Sequence, residues 1–206
     1  IAYKIKGKTT YAMEGSIFIA GAGVQWLRDR MKFFKKAPET EKIIKSLKNN
    51  NGIYLVPAFT GLGAPHWNAN SRGVLSGITR DTSPKEIIRA TIEAVAYQTH
   101  DLFEAMKHDG LRPKIVKVDG GMVMNDWFSQ FLSNVVNVKV LRPRVQETTA
   151  AGAAFMAGLK IGVYKSLKDI SKNWRLDRNF SPKMNNKSRK FLIKGWSLAI
   201  KRTLIN

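Results

Sequence analysis

Lys117-Val118-Asp119-Gly120-Gly121-Met122-Val123-Met124-Asn125-Asp126 is the stretch on which the reading of this fold turns. Just before it, Ile115-Val116-Lys117-Val118 alternates and is β-branched, which predicts a short buried strand. Just after it, Asn125 precedes Trp127, Phe128, Phe131 and Leu132, apolar residues at helical spacing, so Asn125 is a candidate N-cap. Strand, paired glycines and helix is how α/β proteins bring backbone close to a nucleotide at the carboxyl end of a strand. The same pattern also serves as a plain tight connection, so the rest of the chain must decide.

A chain of 206 residues can bury one sizeable core, and 44% hydrophobic with 24% charged residues is ordinary for a globular protein. It contains no apolar run near the length of a bilayer span. The opening Ile1-Ala-Tyr-Lys-Ile-Lys lacks both an initiator Met and the basic-then-apolar pattern of a signal peptide, so a piece of a longer protein is expected. Cysteine is absent, which excludes disulfides and thiolate metal sites and predicts a cytoplasmic setting. His66, His100 and His108 are not spaced with carboxylates as ligands would be, so no metal held by protein side chains is expected.

The formal charge of +20 admits nucleic acid, an anionic membrane or an anionic small molecule as partner. From Lys160 onward stand thirteen Lys or Arg against two acids, Asp169 and Asp177, interleaved with apolar residues at helical spacing. That distribution reads as a solvated basic face, and nucleic acid is not the expected partner.

Along the chain, Tyr3–Ile5 and Thr9–Met13 flank a Lys6-Gly7-Lys8 turn and predict a hairpin. Ile17, Ala20, Val24, Leu27 and Met31 are spaced for an amphipathic helix carrying Gly21, Ala22 and Gly23. Glycines inside a helix cost roughly 1 kcal/mol each against Ala, for which close helix packing or a ligand against the backbone are the two explanations. Pro38 opens a helix over Glu39–Leu47, and the Asn run to Gly52 stops it. Strands are expected at Ile53–Val56 and Gly73–Ile78, joined through a long Gly/Pro/aromatic loop at 57–68. Ser83-Pro84-Lys85-Glu86 combines an N-cap, a proline at the first helical position and a capping box. It starts a helix of about 25 residues whose inner face is Ile88, Ile92, Val95, Thr99, Leu102 and Met106. A strand at Val138–Leu141, a Gly/Ala-rich helix over Thr148–Gly158, a polar connection from Lys160 to Lys183 anchored by Trp174 and Phe180, and a last helix from Asn186 complete the chain.

Catalytic machinery is hard to assemble from these residues. The nucleophile-elbow, Walker and dinucleotide glycine patterns are missing. Asp119 sits at a strand end but equally suits a cap on the Gly-Gly turn. Glu93 and Glu147 are read as partners of the surplus Lys and Arg rather than as buried acids.

Several long motifs then occur in one order: Tyr11 to Asp29 (YAMEGSIFIAGAGVQWLRD), Pro57 to Trp67 (PAFTGLGAPHW), Arg72 to Arg80, Ile88 to Thr99, Val118-Asp-Gly-Gly121, and Arg142-Pro to Gly162. Together they resemble the C-terminal domain of the FGGY carbohydrate kinases, and among these the glycerol kinases. The resemblance implies an α/β, ribonuclease-H-like and actin-like ATPase domain, with a mixed central sheet and helices on both faces. It implies an FGGY domain over 1–165 and a basic extension over 166–206 whose final helix packs on that domain. It implies ATP or ADP in a cleft between two lobes, with Mg²⁺ held through the nucleotide and glycerol held with the other, N-terminal lobe.

By the same resemblance Gly21 and Gln25 match nucleotide contacts, and Gly121 and Asn125 match the adenosine-binding motif. Gly120 and Gly121 would let the backbone approach, while the Gln25 and Asn125 amides offer donors and acceptors. No catalytic residue of the family maps onto this chain. The family's Asp after the loop Trp is Asn68 here, which predicts a weakened capping role. The expectation is therefore a nucleotide-binding lobe of a glycerol kinase, incomplete in catalysis alone, with a partner chain as one source of the other lobe and self-association through exposed cleft surface. The alternative is a non-catalytic remnant or basic binding module of the same fold.

Overall fold

The long central helix is the element the others are built on. In the computed structural model, which describes residues 1–205, the first strands are β1 (Tyr3–Ile5) and β2 (Lys8–Thr10), an antiparallel pair. Next come α1 (Gly21–Asp29), α2 (Glu39–Lys45), β3 (Tyr54–Val56), β4 (Val74–Ser76) and α3 (Pro84–His108). The chain continues through β5 (Ile115–Lys117), a 3₁₀ turn (Gly121–Met124), α4 (Asp126–Val136), β6 (Lys139–Pro143), α5 (Thr148–Lys160), α6 (Leu167–Ser171), β7 (Leu176–Phe180) and α7 (Asn186–Leu204).

Local sequence accounts for α3. The Ser83 Oγ accepts from the Lys85 N–H at 3.2 Å, and the Glu86 carboxylate accepts from the Ser83 N–H at 2.9 Å, closing the expected capping box. The Ser83 hydroxyl and N–H hold the Glu86 carboxyl below its ordinary range against a weaker push from burial. From Glu86 to Gln98 the helix is buried nearly all round, because α4 packs on one side, the β3–β4 hairpin and α7 on another, and α1 and α2 on the rest. Tyr97 stacks on Trp196 of α7 at 5.3 Å and meets Phe131 of α4 edge-on at 5.7 Å. Gly195 lets α7 lie this close to β3: a Cβ there would sit 2.2 Å from the Tyr54 hydroxyl.

That enclosure corrects the reading of Glu93, which is fully buried as well as paired. Its carboxylate accepts from Arg89 Nε at 2.7 Å and from the Tyr97 hydroxyl at 2.9 Å, partners four residues either side on one stripe. Burial pushes the Glu93 carboxyl up despite both partners, and burial beside that charge pushes the Tyr97 phenol well up. Glu147, by contrast, is exposed.

The largest sheet has the order β5-β6-β7 and is mixed, β5 parallel and β7 antiparallel to β6. The β3–β4 pair forms a separate antiparallel hairpin. β7 and α6 fall inside the expected polar connection. Four of five β7 residues are exposed, so only Phe180 signals a strand and pairing with β6 creates the rest. Trp174 is half-buried and takes the Lys117 ammonium over its ring at 4.3 Å.

α1 begins at Gly21, four residues later than the apolar spacing predicts, and ends before Met31. The preceding carbonyls are taken by other segments: Ser16 O accepts from Ala64 N–H at 3.0 Å and Ile19 O from the Gln98 amide at 3.2 Å. Those bonds compete with a helical start. Asn68 keeps the capping role expected to weaken, its Oδ1 accepting from the N–H groups of Asn70 at 3.0 Å and Ser71 at 2.9 Å. No helix among the described residues is long and apolar enough to cross a membrane.

Candidate functional site

β5 delivers the chain to Asp119, and Gly120 turns it. Gly120 has φ +81°, in the region that favours glycine, and its N–H donates to Gln146 O at 3.2 Å. Thr148 at the start of α5 donates its hydroxyl to the exposed Asp119 carboxylate, so Asp119 joins the turn to the next helix. The 3₁₀ turn over Gly121–Met124 then feeds α4, whose N-cap is Asn125: its Oδ1 accepts from the Phe128 N–H at 2.9 Å. The turn is held from beneath by the buried Arg142 of β6, which donates to Val123 O at 2.7 Å and pairs with Asp126 at 2.9 Å and Asp177 at 2.7 Å.

This turn forms one wall of a cavity of about 450 Å³. Gly121, Met122, Met124 and Asn125 line it from the turn, Gly21, Val24, Gln25 and Arg28 from α1, and Pro38, Thr40 and Glu41 from the start of α2. Four of the five residues singled out in the sequence thus meet, although about a hundred positions separate Gly21 from Gly121. Gly120 stands outside the lining and shapes the turn instead.

The two α1 glycines separate by role. A Cβ on Gly23 would come within 3.0 Å of the Thr91 methyl on α3, so that glycine serves helix packing. A Cβ on Gly21 or on Gly121 would meet nothing within 4 Å. Neither is demanded by the protein's own packing, and both leave the cavity open. The helix starts at Gly21 and its N-cap, Ala20, offers no side-chain acceptor, so the positive end of α1 lies at this wall uncapped.

The amides are not equivalent. Asn125 spends its oxygen on the cap, and its Nδ2 lies at the 3.5 Å limit from Thr40 Oγ1. Gln25 is exposed and its amide makes no hydrogen bond among the described residues. Glu41 is held by Lys45 at 2.6 Å and Arg28 by Asp29 at 2.7 Å, so neither charge is poised as an acid or base. The arrangement can hold a flat polar ligand. Among the described residues no three His, Asp or Glu gather as a metal cage. In the sequence Pro38 and Ile92 carried only structural roles and Thr40 carried none, because only the docking of α2 and α3 brings them here.

A profile of the C-terminal domain of the FGGY family of carbohydrate kinases matches residues 2–161. The glycerol kinase of Gluconobacter oxydans (strain 621H) is 51% identical over 205 residues, covering 99% of this chain and 40% of that protein. Glycerol kinase 1 of Pseudomonas aeruginosa is 52% identical over 202 residues, covering 98% of this chain and 41% of that protein. The chain therefore spans about two-fifths of the length of these relatives. A crystal structure of Plasmodium falciparum glycerol kinase with ADP superposes with a TM-score of 0.83 at 36% identity, covering 92% of this chain and 38% of that one. The fold is thus the actin-like ATPase fold of these kinases. The chain belongs to the FGGY family of carbohydrate kinases and carries the family's C-terminal domain.

Proposed function

We propose that this chain is the nucleotide-holding lobe of a cytoplasmic, ATP-dependent glycerol kinase, and that Gly21, Gln25, Gly120, Gly121 and Asn125 serve adenine-nucleotide binding. One observation carries the reading. Gly21 from α1 and Gly121 from the turn line one cavity, and each leaves empty the space its own Cβ would fill. Close approach of backbone to a ligand is what glycine at such positions permits. The relative of known structure holds ADP, and the same fold here supports the same occupant.

In this reading Gly121 and Asn125 lie against the adenosine, Gln25 supplies the free amide, and the open end of α1 favours the charged part of the ligand. Mg²⁺ would be carried by the phosphates. ATP supplies the transferable phosphoryl group when bound, and the residues here position it. Transfer to a glycerol hydroxyl needs a base and an ordered triphosphate, for which this cavity offers no free side chain. Those parts would come from the other three-fifths of such a kinase, in the same chain or a partner.

Calorimetric titration with ATP tests the reading. Binding is expected for the wild type and is expected to be lost on Gly121→Val, which fills the cavity without touching the protein's packing. Unchanged binding in that variant would sink the assignment.

A further inference from the structure

A second, larger cavity of about 1040 Å³ shares no lining residue with the first. It lies between the 48–52 segment, α3, α4 and the start of α7. Its walls are built rather than incidental. Asn134 Oδ1 accepts from the N–H groups of Lys183 at 2.8 Å and Met184 at 3.3 Å, and Gln130 Nε2 donates to Ser181 O at 2.8 Å, fastening the segment before α7 to α4. Opposite, Asn50 holds its own turn through Gly52 N–H at 3.2 Å.

The lining divides into two chemistries. One is apolar: Trp127 and Phe131 stack at 4.9 Å and 11°, with Met184, Leu192 and Phe191 beside them. Phe191 is 70% exposed, a large ring left in water at the cavity's edge. The other is cationic. Lys48 and Lys187 line the cavity, both are exposed, and neither forms an ion pair among the described residues. Arg89 stands over the Trp127 ring at 5.0 Å; its Nε is taken by Glu93 and its Nη1 by Leu47 O, and its Nη2 has no partner among the described residues. Among the described residues no carboxylate lines the cavity. Two lysines without counter-charge beside an apolar floor select an anion with an apolar body, and the volume sits at the upper end of small-molecule sites, roughly 300–1,000 Å³.

We propose that this cavity binds a small amphiphilic anion, a flat apolar body carrying a phosphate or carboxylate. Its body lies against Phe191, Phe131 and Met184, and its head is neutralised by Lys48 and Lys187. The site is separate from the nucleotide cavity, although both draw on α3, and the nucleotide cavity reaches the N-cap of α4.

1-Naphthyl phosphate is the probe, titrated by calorimetry beside 1-naphthol and inorganic phosphate. Naphthyl phosphate is expected to bind at least about tenfold more tightly than either half alone, because both parts of the lining are used. The double variant Lys48→Glu/Lys187→Glu changes two exposed residues and is expected to weaken it about tenfold or more. Phe191→Ser is expected to weaken it by several-fold, and Gly121→Val to leave it unchanged. Naphthol binding as tightly, indifference to the charge reversal, or loss of binding in Gly121→Val would each overturn the proposal. So would retention of a peptide or nucleic acid by a protein that takes no naphthyl phosphate.

Discussion

The Arg142 guanidinium donates to the Val123 carbonyl at 2.7 Å, so the middle strand of the sheet grips the 3₁₀ turn that carries Gly121. The same side chain, 6% exposed, holds Asp126 and Asp177, each more than a third exposed. Removing the buried partner leaves Asp177 unpaired, while Asp126 keeps Arg178 and the Val123 carbonyl keeps the Ser129 hydroxyl at 3.1 Å. Arg142→Ala is therefore expected to cost about 2 kcal/mol in urea unfolding, with Arg142→Lys recovering part through charge without the fork. A loss under about 1 kcal/mol would show that the grip is not structural.

Asn125 has two duties that substitution can separate. Its oxygen caps α4, and the residue also lines the cavity. Asn125→Ala is expected to lower stability by about 1 kcal/mol, and Asn125→Asp to keep stability, since Asp caps as well. Both are expected to weaken ATP binding, Asp by removing the donor and adding negative charge. Equal melting temperatures for the Ala and wild-type proteins would count against the cap.

The glycines of α1 and the turn should respond oppositely to a side chain. Gly23→Val drives a branched chain into the Thr91 methyl and is expected to destabilise by about 1–3 kcal/mol. Gly121→Val meets open space and is expected to stay within about 0.5 kcal/mol of wild type while losing the nucleotide. A Gly121→Val protein that fails to fold would mean the space is not open.

Asp101 links three segments: its carboxylate accepts from Trp196 Nε1 at 2.7 Å and lies 3.3 Å from His100 Nδ1 and 3.5 Å from His66 Nε2. Burial alone would push this carboxyl up, but the hydrogen bonds from His100, His66 and Trp196 outweigh it and hold the group below its ordinary 3.8. The folded state thus binds this proton less readily than the unfolded one. Its stabilisation is present above about pH 4 and is lost as pH falls through the lower folded value. Asp101→Asn keeps an acceptor for Trp196 and is expected to flatten that part of the acid limb, read by Trp fluorescence during acid titration. Identical acid limbs would remove Asp101 from the account.

Local chemistry was enough to place α3, from Ser83 and Glu86 at its start to its end at His108, and to identify Asn125 as a cap. Such signals act over three or four residues, within the reach of one helical turn. Four of the five residues assigned to the nucleotide were found by motif, and they do line one cavity. Pairing was not available from the chain alone. β7 is polar and becomes a strand because β6 offers it partners; Glu93 is buried because α3 is enclosed on every side; Thr40 meets Asn125 because α2 docks there. The paired glycines at 120 and 121 already specified a sharp turn after a strand. That Gly120 makes the turn while Gly121 opens the cavity, and that Gly21 but not Gly23 faces it from the other wall, depended on how helices far apart in sequence pack. Contacts between distant segments are set by the shape and burial of the whole fold, and no stretch of ten residues contains them.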